Sequence, residues 1–220
     1  LGHLAQREVV RPTQGCEFVC ERLKRMGASL SADGAPLSGA NDFALGQMAK
    51  TVHFGKDELR NMLAAFMKIA ADSPEAGSTV ITLEQFGRAL NSVEMPAGAG
   101  NFLGLLFNAF DKNGDGVLNY VEFCAGLSII VAGTSDEKYH LCFDIYDVEK
   151  TGYISKPEMR TILTAMNVVL RASESQNRAF SETDVETFVK NLFEEAGATD
   201  RLNYDDFLKV VQKHPEIIDF

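Results

Sequence analysis

The chain has 220 residues, and 21 Lys and Arg against 31 Asp and Glu give a formal net charge of -10 at pH 7. That length fits one large domain or two small lobes, and 45% hydrophobic residues can fill a core, which excludes wholesale disorder. The acid excess repels phosphate backbones and excludes a basic nucleic-acid face, while Cys16, Cys20, Cys124 and Cys142 are too few for a disulfide framework.

The first expected helix carries Cys16, Val19, Cys20, Leu23 and Met26 on one stripe and stops at Gly27. The stripe reads as packing on its own lobe; a membrane or partner anchor beside Arg22, Lys24 and Arg25 is the alternative. Cys16 and Cys20 lack the further Cys or His that a zinc set needs. Residues 28–41 are rich in Gly, Ser and Ala and read as a loop. A stronger helix spans 56–70, with Leu59, Met62, Leu63, Phe66 and Met67 on one face. Helices follow over 83–90, 101–110, 120–131, 136–146, 156–170, 182–194 and 204–213. Pro157, and Ser181 with Asp184, mark the starts of two of them. No apolar run approaches the ~18 residues that span a bilayer. The opening LGHLAQREVV has no long apolar signal region, and Leu1 is not a start residue, so a missing N-terminus is expected.

A repeat organises these helices. Four times a helix leads through a loop into a second helix. The loop ends read TVITLEQF, GVLNYVEF, GYISKPEM and DRLNYDDF, with Ile81, Leu118, Ile154 and Leu202 at the same place. The expected fold is all-α, with four helix-loop-helix units paired into two lobes and an extra N-terminal helical segment. The expected division is 1–55 as an N-terminal extension, 56–132 as the first lobe, and 133–220 as the second lobe with a C-terminal tail.

In the second unit, residues 111–122 read DKNGDGVLNYVE and match the twelve-residue EF-hand calcium loop. Ca²⁺ is a hard cation that takes six to eight oxygens at about 2.3–2.6 Å. Asp111, Asn113 and Asp115 present side-chain oxygens as the chain wraps round, and Gly116 allows the sharp turn. Val117 offers its carbonyl, Asn119 acts directly or through water, and Glu122 closes the site with both carboxylate oxygens. The third unit, 147–158, places Asp147, Glu149, Thr151, the Tyr153 carbonyl, Ser155 and Glu158 at the same positions, with Gly152 at the turn. Glu149 is long and Thr151 uncharged, so weaker binding is expected there.

The other two loops are degenerate. In the fourth, Glu195 to Asp206, Gly197 stands where a side-chain oxygen is needed, Asp200 replaces the turn glycine at a cost in strain, and Asp206 is short for a closing Glu. In the first, Pro74, Ala76 and Ser78 fill the early places and Gln85 replaces the closing Glu, which makes a structural pseudo-site. No active site competes. His3, His53, His140 and His214 are scattered, and Gly98, Gly100 and Gly104 miss the nucleotide-loop spacing.

The stretch from Phe107 to Met159, FNAFDKNGDGVLNYVEFCAGLSIIVAGTSDEKYHLCFDIYDVEKTGYISKPEM, resembles the central part of the group formed by neuronal calcium sensors, potassium-channel-interacting proteins, calcineurin B and plant calcineurin-B-like proteins. The ending FLKVVQKHPEIIDF is similar to that group's final helix and tail. The likeness covers about residues 56–220, and axonemal sensors and oxidase regulatory regions share the layout. It implies a non-enzymatic calcium sensor with two Ca²⁺ sites, Mg²⁺ in the resting state being an option. It also implies a groove for an amphipathic helix of a phosphatase, kinase, channel or motor subunit. Candidates for that groove are Met62, Leu63, Phe66, Phe86, Leu90, Phe102, Leu106, Phe107 and Phe110, with lobe core as the competing role. Ile217, Ile218 and Phe220 are candidates for a plug in it. The alternatives are a constitutive light chain of a motor, axonemal or cytoskeletal assembly, and a regulatory segment of a larger enzyme. The expected setting is cytoplasmic, with cytoskeletal or membrane association as an option.

Overall fold

The computed structural model describes residues 39–72, 79–91, 100–172, 182–214 and 217. The 16–26 stripe, Pro74, Ala76, Ser78, Ser181, Ile218 and Phe220 lie outside the described residues, as does the side chain of Leu90. In chain order the helices are α1 (Gly39–Met48), α2 (Lys56–Ala70), α3 (Leu83–Asn91), α4 (Gly100–Phe110), α5 (Tyr120–Ala132), α6 (Ser135–Tyr146), α7 (Lys156–Ala172), α8 (Glu182–Ala196) and α9 (Tyr204–Lys213). Two-residue strands precede four of them: β1 (Val80–Ile81), β2 (Leu118–Asn119), β3 (Ile154–Ser155) and β4 (Arg201–Leu202).

Helix starts follow from local hydrogen bonding. The Asn119 side-chain oxygen accepts from the N–H groups of Val121 and Glu122, and Glu122 accepts from Asn119 N–H in return. Thr134 and Glu137 form the same reciprocal box ahead of α6. Asn203 caps α9.

The strands pair antiparallel within each lobe, Ile81 opposite Leu118 and Ile154 opposite Leu202. All four side chains are buried, so each ribbon pins two loops against a core. In the first lobe Phe66, Phe86, Phe107, Phe110 and Phe123 meet with ring centroids 5.6–6.5 Å apart. In the second, Phe143, Tyr146 and Phe207 do the same. The core runs continuously between the lobes, because α4 packs on α6 and α7 and α5 packs on α6.

One expectation changes. Residues 39–41 open α1 instead of closing a loop. Residues 39–54, within the expected N-terminal extension, pack on the lobes: Leu45 joins the core, and Met48, Ala49, Val52 and Phe54 pack against it. His53 N–H donates to Ser128 Oγ at 2.6 Å, and its Nε2 meets the Glu137 carboxylate at 2.8 Å, so this segment bolts onto both lobes. Of the two roles open to the groove candidates, the structure has the lobe core: Met62, Phe66, Phe86, Phe102, Leu106, Phe107 and Phe110 are buried and Leu63 is half-buried. Their rings pack on one another, so they form lobe core in this structure. Ile217 is buried too, and its carbonyl accepts from the buried Tyr146 hydroxyl at 2.9 Å, which seats the tail residue against the second lobe.

Candidate metal centres

Loops 111–122 and 147–158 adopt the same backbone. The fourth and sixth positions of each are left-handed: Gly114 (φ 74°) and Gly116 (φ 82°) in one, Lys150 (φ 54°) and Gly152 (φ 81°) in the other. Glycine enters that region without steric cost, which is why the sixth place needs it.

The first carboxylate organises each loop. Buried Asp111 accepts from Gly114 N–H at 2.7 Å on one oxygen and from Gly116 N–H at 2.9 Å on the other. Buried Asp147 accepts from Thr151 N–H at 2.8 Å and Gly152 N–H at 2.7 Å. The closing carboxylates match as well. Glu122 accepts from Asn113 N–H at 3.3 Å and from Asn119 N–H at 3.1 Å. Glu158 accepts from Glu149 N–H at 3.3 Å and from Ser155 N–H at 2.8 Å. Each closing Glu therefore reaches back across its loop to the third and ninth positions.

The remaining ligand candidates stand on the same rings. Asn113 accepts from Asp115 N–H at 2.8 Å, and Asp115 from Val117 N–H at 3.0 Å. Thr151 Oγ1 donates to the Tyr153 carbonyl at 3.1 Å, and Ser155 Oγ donates to Glu158 at 2.6 Å. Among the described residues no three His, Cys, Asp or Glu side chains converge on one point. Asn113 Nδ2 holds Asp115 at 3.0 Å and Asn119 Nδ2 holds Glu122 at 2.7 Å. Turning those two amides presents oxygen instead of nitrogen. The donor set is all oxygen, with carboxylates from Asp111, Asp115 and Glu122 in one loop and Asp147, Glu149 and Glu158 in the other. That chemistry fits Ca²⁺.

At the described closing places of the first and fourth loops the chain's own groups take the contacts. Gln85, at the closing place of the first, is buried; its Nε2 donates to the Ile69 carbonyl at 3.2 Å while its Oε1 accepts from Thr82 N–H at 2.8 Å. Arg88 adds an ion pair with Asp72 at 3.1 Å. In the fourth, α8 continues through Glu195 and Ala196, so the connection to β4 is short and Gly197 takes the left-handed turn (φ 70°). The strain expected at Asp200 is therefore absent, since Lys150 is the one non-glycine with positive φ among the described residues. Glu195 pairs with His214 at 3.1 Å, and Asp206 with Lys209 at 2.9 Å. Basic side chains stand against the acids that a cation would need. An amide at a closing place was a readable signal for the Gln85 bridge, and Asp206 with Lys209 is a local i,i+3 pair; nothing local marked the pairing of Glu195 with His214.

The three described histidines tie elements together. His140 contacts Tyr204 edge-on with centroids 4.0 Å apart, His53 meets Glu137, and His214 meets Glu195.

No family model matches the chain. It is 40% identical to Calcium-binding protein NCSA of Dictyostelium discoideum over 114 residues, which is 52% of this chain and 57% of that protein. It is 26% identical to Guanylyl cyclase-activating protein 1 of Gallus gallus over 147 residues, 66% of this chain and 70% of that protein. The chain thus spans little more than half of the first relative's length.

Proposed function

We propose that the chain is an EF-hand calcium sensor, as its likeness to a calcium-binding protein and to a guanylyl cyclase-activating protein supports, and a Ca²⁺-responsive regulator of another protein. Two loops, 111–122 and 147–158, are its binding sites, and an amphipathic target helix is its partner. The observation that supports this most directly is the congruence of the two loops. Each has the same first Asp, the same left-handed turn positions and the same back-reaching Glu.

Bound Ca²⁺ supplies a dication for carboxylates that here accept from loop amides. The chain's own residues convert that change into movement. Glu122 lies in the first turn of α5 and Glu158 in the first turn of α7, so reorienting either carboxylate shifts a helix start. Phe123 follows Glu122 and packs on Phe66 at 5.6 Å and on Phe86 at 6.5 Å. A shift of α5 therefore loosens the aromatic core of the first lobe and offers it to an apolar helix face. A relative named as an activator of a guanylyl cyclase supports a target of the regulated-enzyme kind. A channel or motor subunit fits the same chemistry. The buried thiols Cys124 and Cys142, which form no disulfide, support a reducing, cytoplasmic setting.

Calorimetric titration with Ca²⁺ should show two binding events. Glu122→Gln removes one and Glu158→Gln the other, and an apolar dye brightens on calcium addition. Four equivalent events, or none, overturn the reading. Equal capture of a target with and without chelator identifies a constitutive light chain instead.

A further inference from the structure

Each lobe holds one complete loop and one degenerate loop, and the strands pair them within the lobe. The ribbons therefore leave the two complete loops unconnected to each other. Other bonds join them. Lys150 Nζ, from the third loop, donates to the backbone carbonyl of Asp111, the first residue of the second loop. Lys112, from the second loop, pairs with Asp144 on α6, which leads into the third. Asn108 Nδ2, on α4 ahead of Asp111, donates to the Val148 carbonyl at 3.2 Å. The bonds run in both directions, and none uses an oxygen of the proposed ligand sets.

Two further features single out this junction. A cavity of about 320 Å³ lies where the loops meet, with Lys112 on one side and Asp144, Lys150 and Gly152 on the other, and it reaches Asp147, the first residue of the third loop. Lys150 also holds a left-handed backbone (φ 54°) where the second loop has Gly114. A side chain is disfavoured there, and this one reaches across to the other lobe.

We propose that this clasp couples the two Ca²⁺ sites across the lobe boundary, so that filling one raises the affinity of the other. The inference rests on the proposed reading that both loops bind. Lys150 stands between Glu149 and Thr151 while gripping Asp111. Fixing Asp111 fixes Lys150, and the third loop then has less ordering left to do when its own ion arrives. Linkage makes the effect equal in the other direction.

Calcium calorimetry on the full chain tests it. With the clasp intact, Glu122→Gln weakens binding at 147–158 by about fivefold, within the range of linked sites, and Glu158→Gln weakens 111–122 by the same factor. In a Lys112→Met/Lys150→Met background both factors fall below about twofold while both loops still bind. Charge removal shifts the intrinsic affinities, but it cancels from these ratios. Lys150→Gly keeps the turn, relieves the backbone and still lowers both factors, which separates the bond from the strain. A ratio unchanged in the double variant, or near one in the parent, overturns the clasp. Loss of binding at either loop in the unaltered chain overturns the two-site reading instead.

Discussion

Gln85 stands where a metal-binding loop has its closing carboxylate, and it joins the two helices of its unit by donating to the last carbonyl groups of α2. Neither Ala nor Glu can replace that donor. Gln85→Ala takes the acceptor from Thr82 N–H and a donor from the Ala70 carbonyl, while Ile69 keeps the N–H of Asp72, and should cost about 1–3 kcal/mol, read by urea unfolding in chelator. Gln85→Glu sets a carboxylate against those carbonyls. It should destabilise at neutral pH and add no third calcium event in calorimetry. Cys124 is a residue-scale case with a chemical readout. Burial pushes its thiol up to about 12, with the Tyr120 hydroxyl pulling weakly the other way. The reactive thiolate is therefore scarce at pH 8. Cys124 should resist thiol reagents in the folded chain and react promptly in urea, as mass spectrometry of labelled peptides would show.

At the scale of elements, α5 depends on a missing side chain. A Cβ at Gly126 would fall 2.4 Å from the Phe110 ring. Gly126→Ala must push α4 and α5 apart, at about 1–3 kcal/mol for overpacking. Phe110 precedes Asp111 and α5 carries Glu122, so the same change should weaken calcium binding at 111–122 more than at 147–158, which calorimetry separates. The start of α6 responds to pH. Glu137 is held below its ordinary 4.5, first by the Thr134 N–H, then by the Thr134 hydroxyl and His53. A carboxylate with a depressed folded pKa stabilises above its unfolded value and loses that contribution as pH falls through the folded one. Glu137→Gln should therefore lower the melting temperature at pH 7, and the gap to the parent should close as pH drops below 4.5. Element by element, α2 to α9 were legible because each repeats apolar residues at helical spacing. The helix α1 was not, because it contributes Leu45 alone to the core and shows no stripe. The turn at Gly197 escaped notice for a related reason: α8 runs on into the loop because Glu195 has partners from α9 and its end.

For the whole molecule, the acid excess has an address. Asp111, Asp115, Glu122, Asp147, Glu149 and Glu158 lie in two loops, and two bound Ca²⁺ would bring the formal charge from -10 to about -6. Those loops sit in different lobes, yet the lobes share one core and His53 ties the α1 segment to both. The molecule should therefore unfold in chelator as a single transition. Coincident fluorescence and circular-dichroism curves in urea check this, and two separated transitions would contradict it.

By itself the sequence determined the spacing of the helices, the strand partners Ile81–Leu118 and Ile154–Leu202, and which two loops carry a calcium ligand pattern. The helix spacing and the ligand pattern are local properties, set by side chains within one turn or one loop of each other; the strand partners follow from the repeat, which puts the same kind of residue at the same place in each unit. Tertiary structure alone decided that Gln85 bridges its helices, that the aromatic face of the first lobe is buried, and that Lys150 grips Asp111 from the other lobe. Each of those depends on groups 15 or more residues apart in the chain. Their meeting follows from how helices pack, which no local spacing encodes.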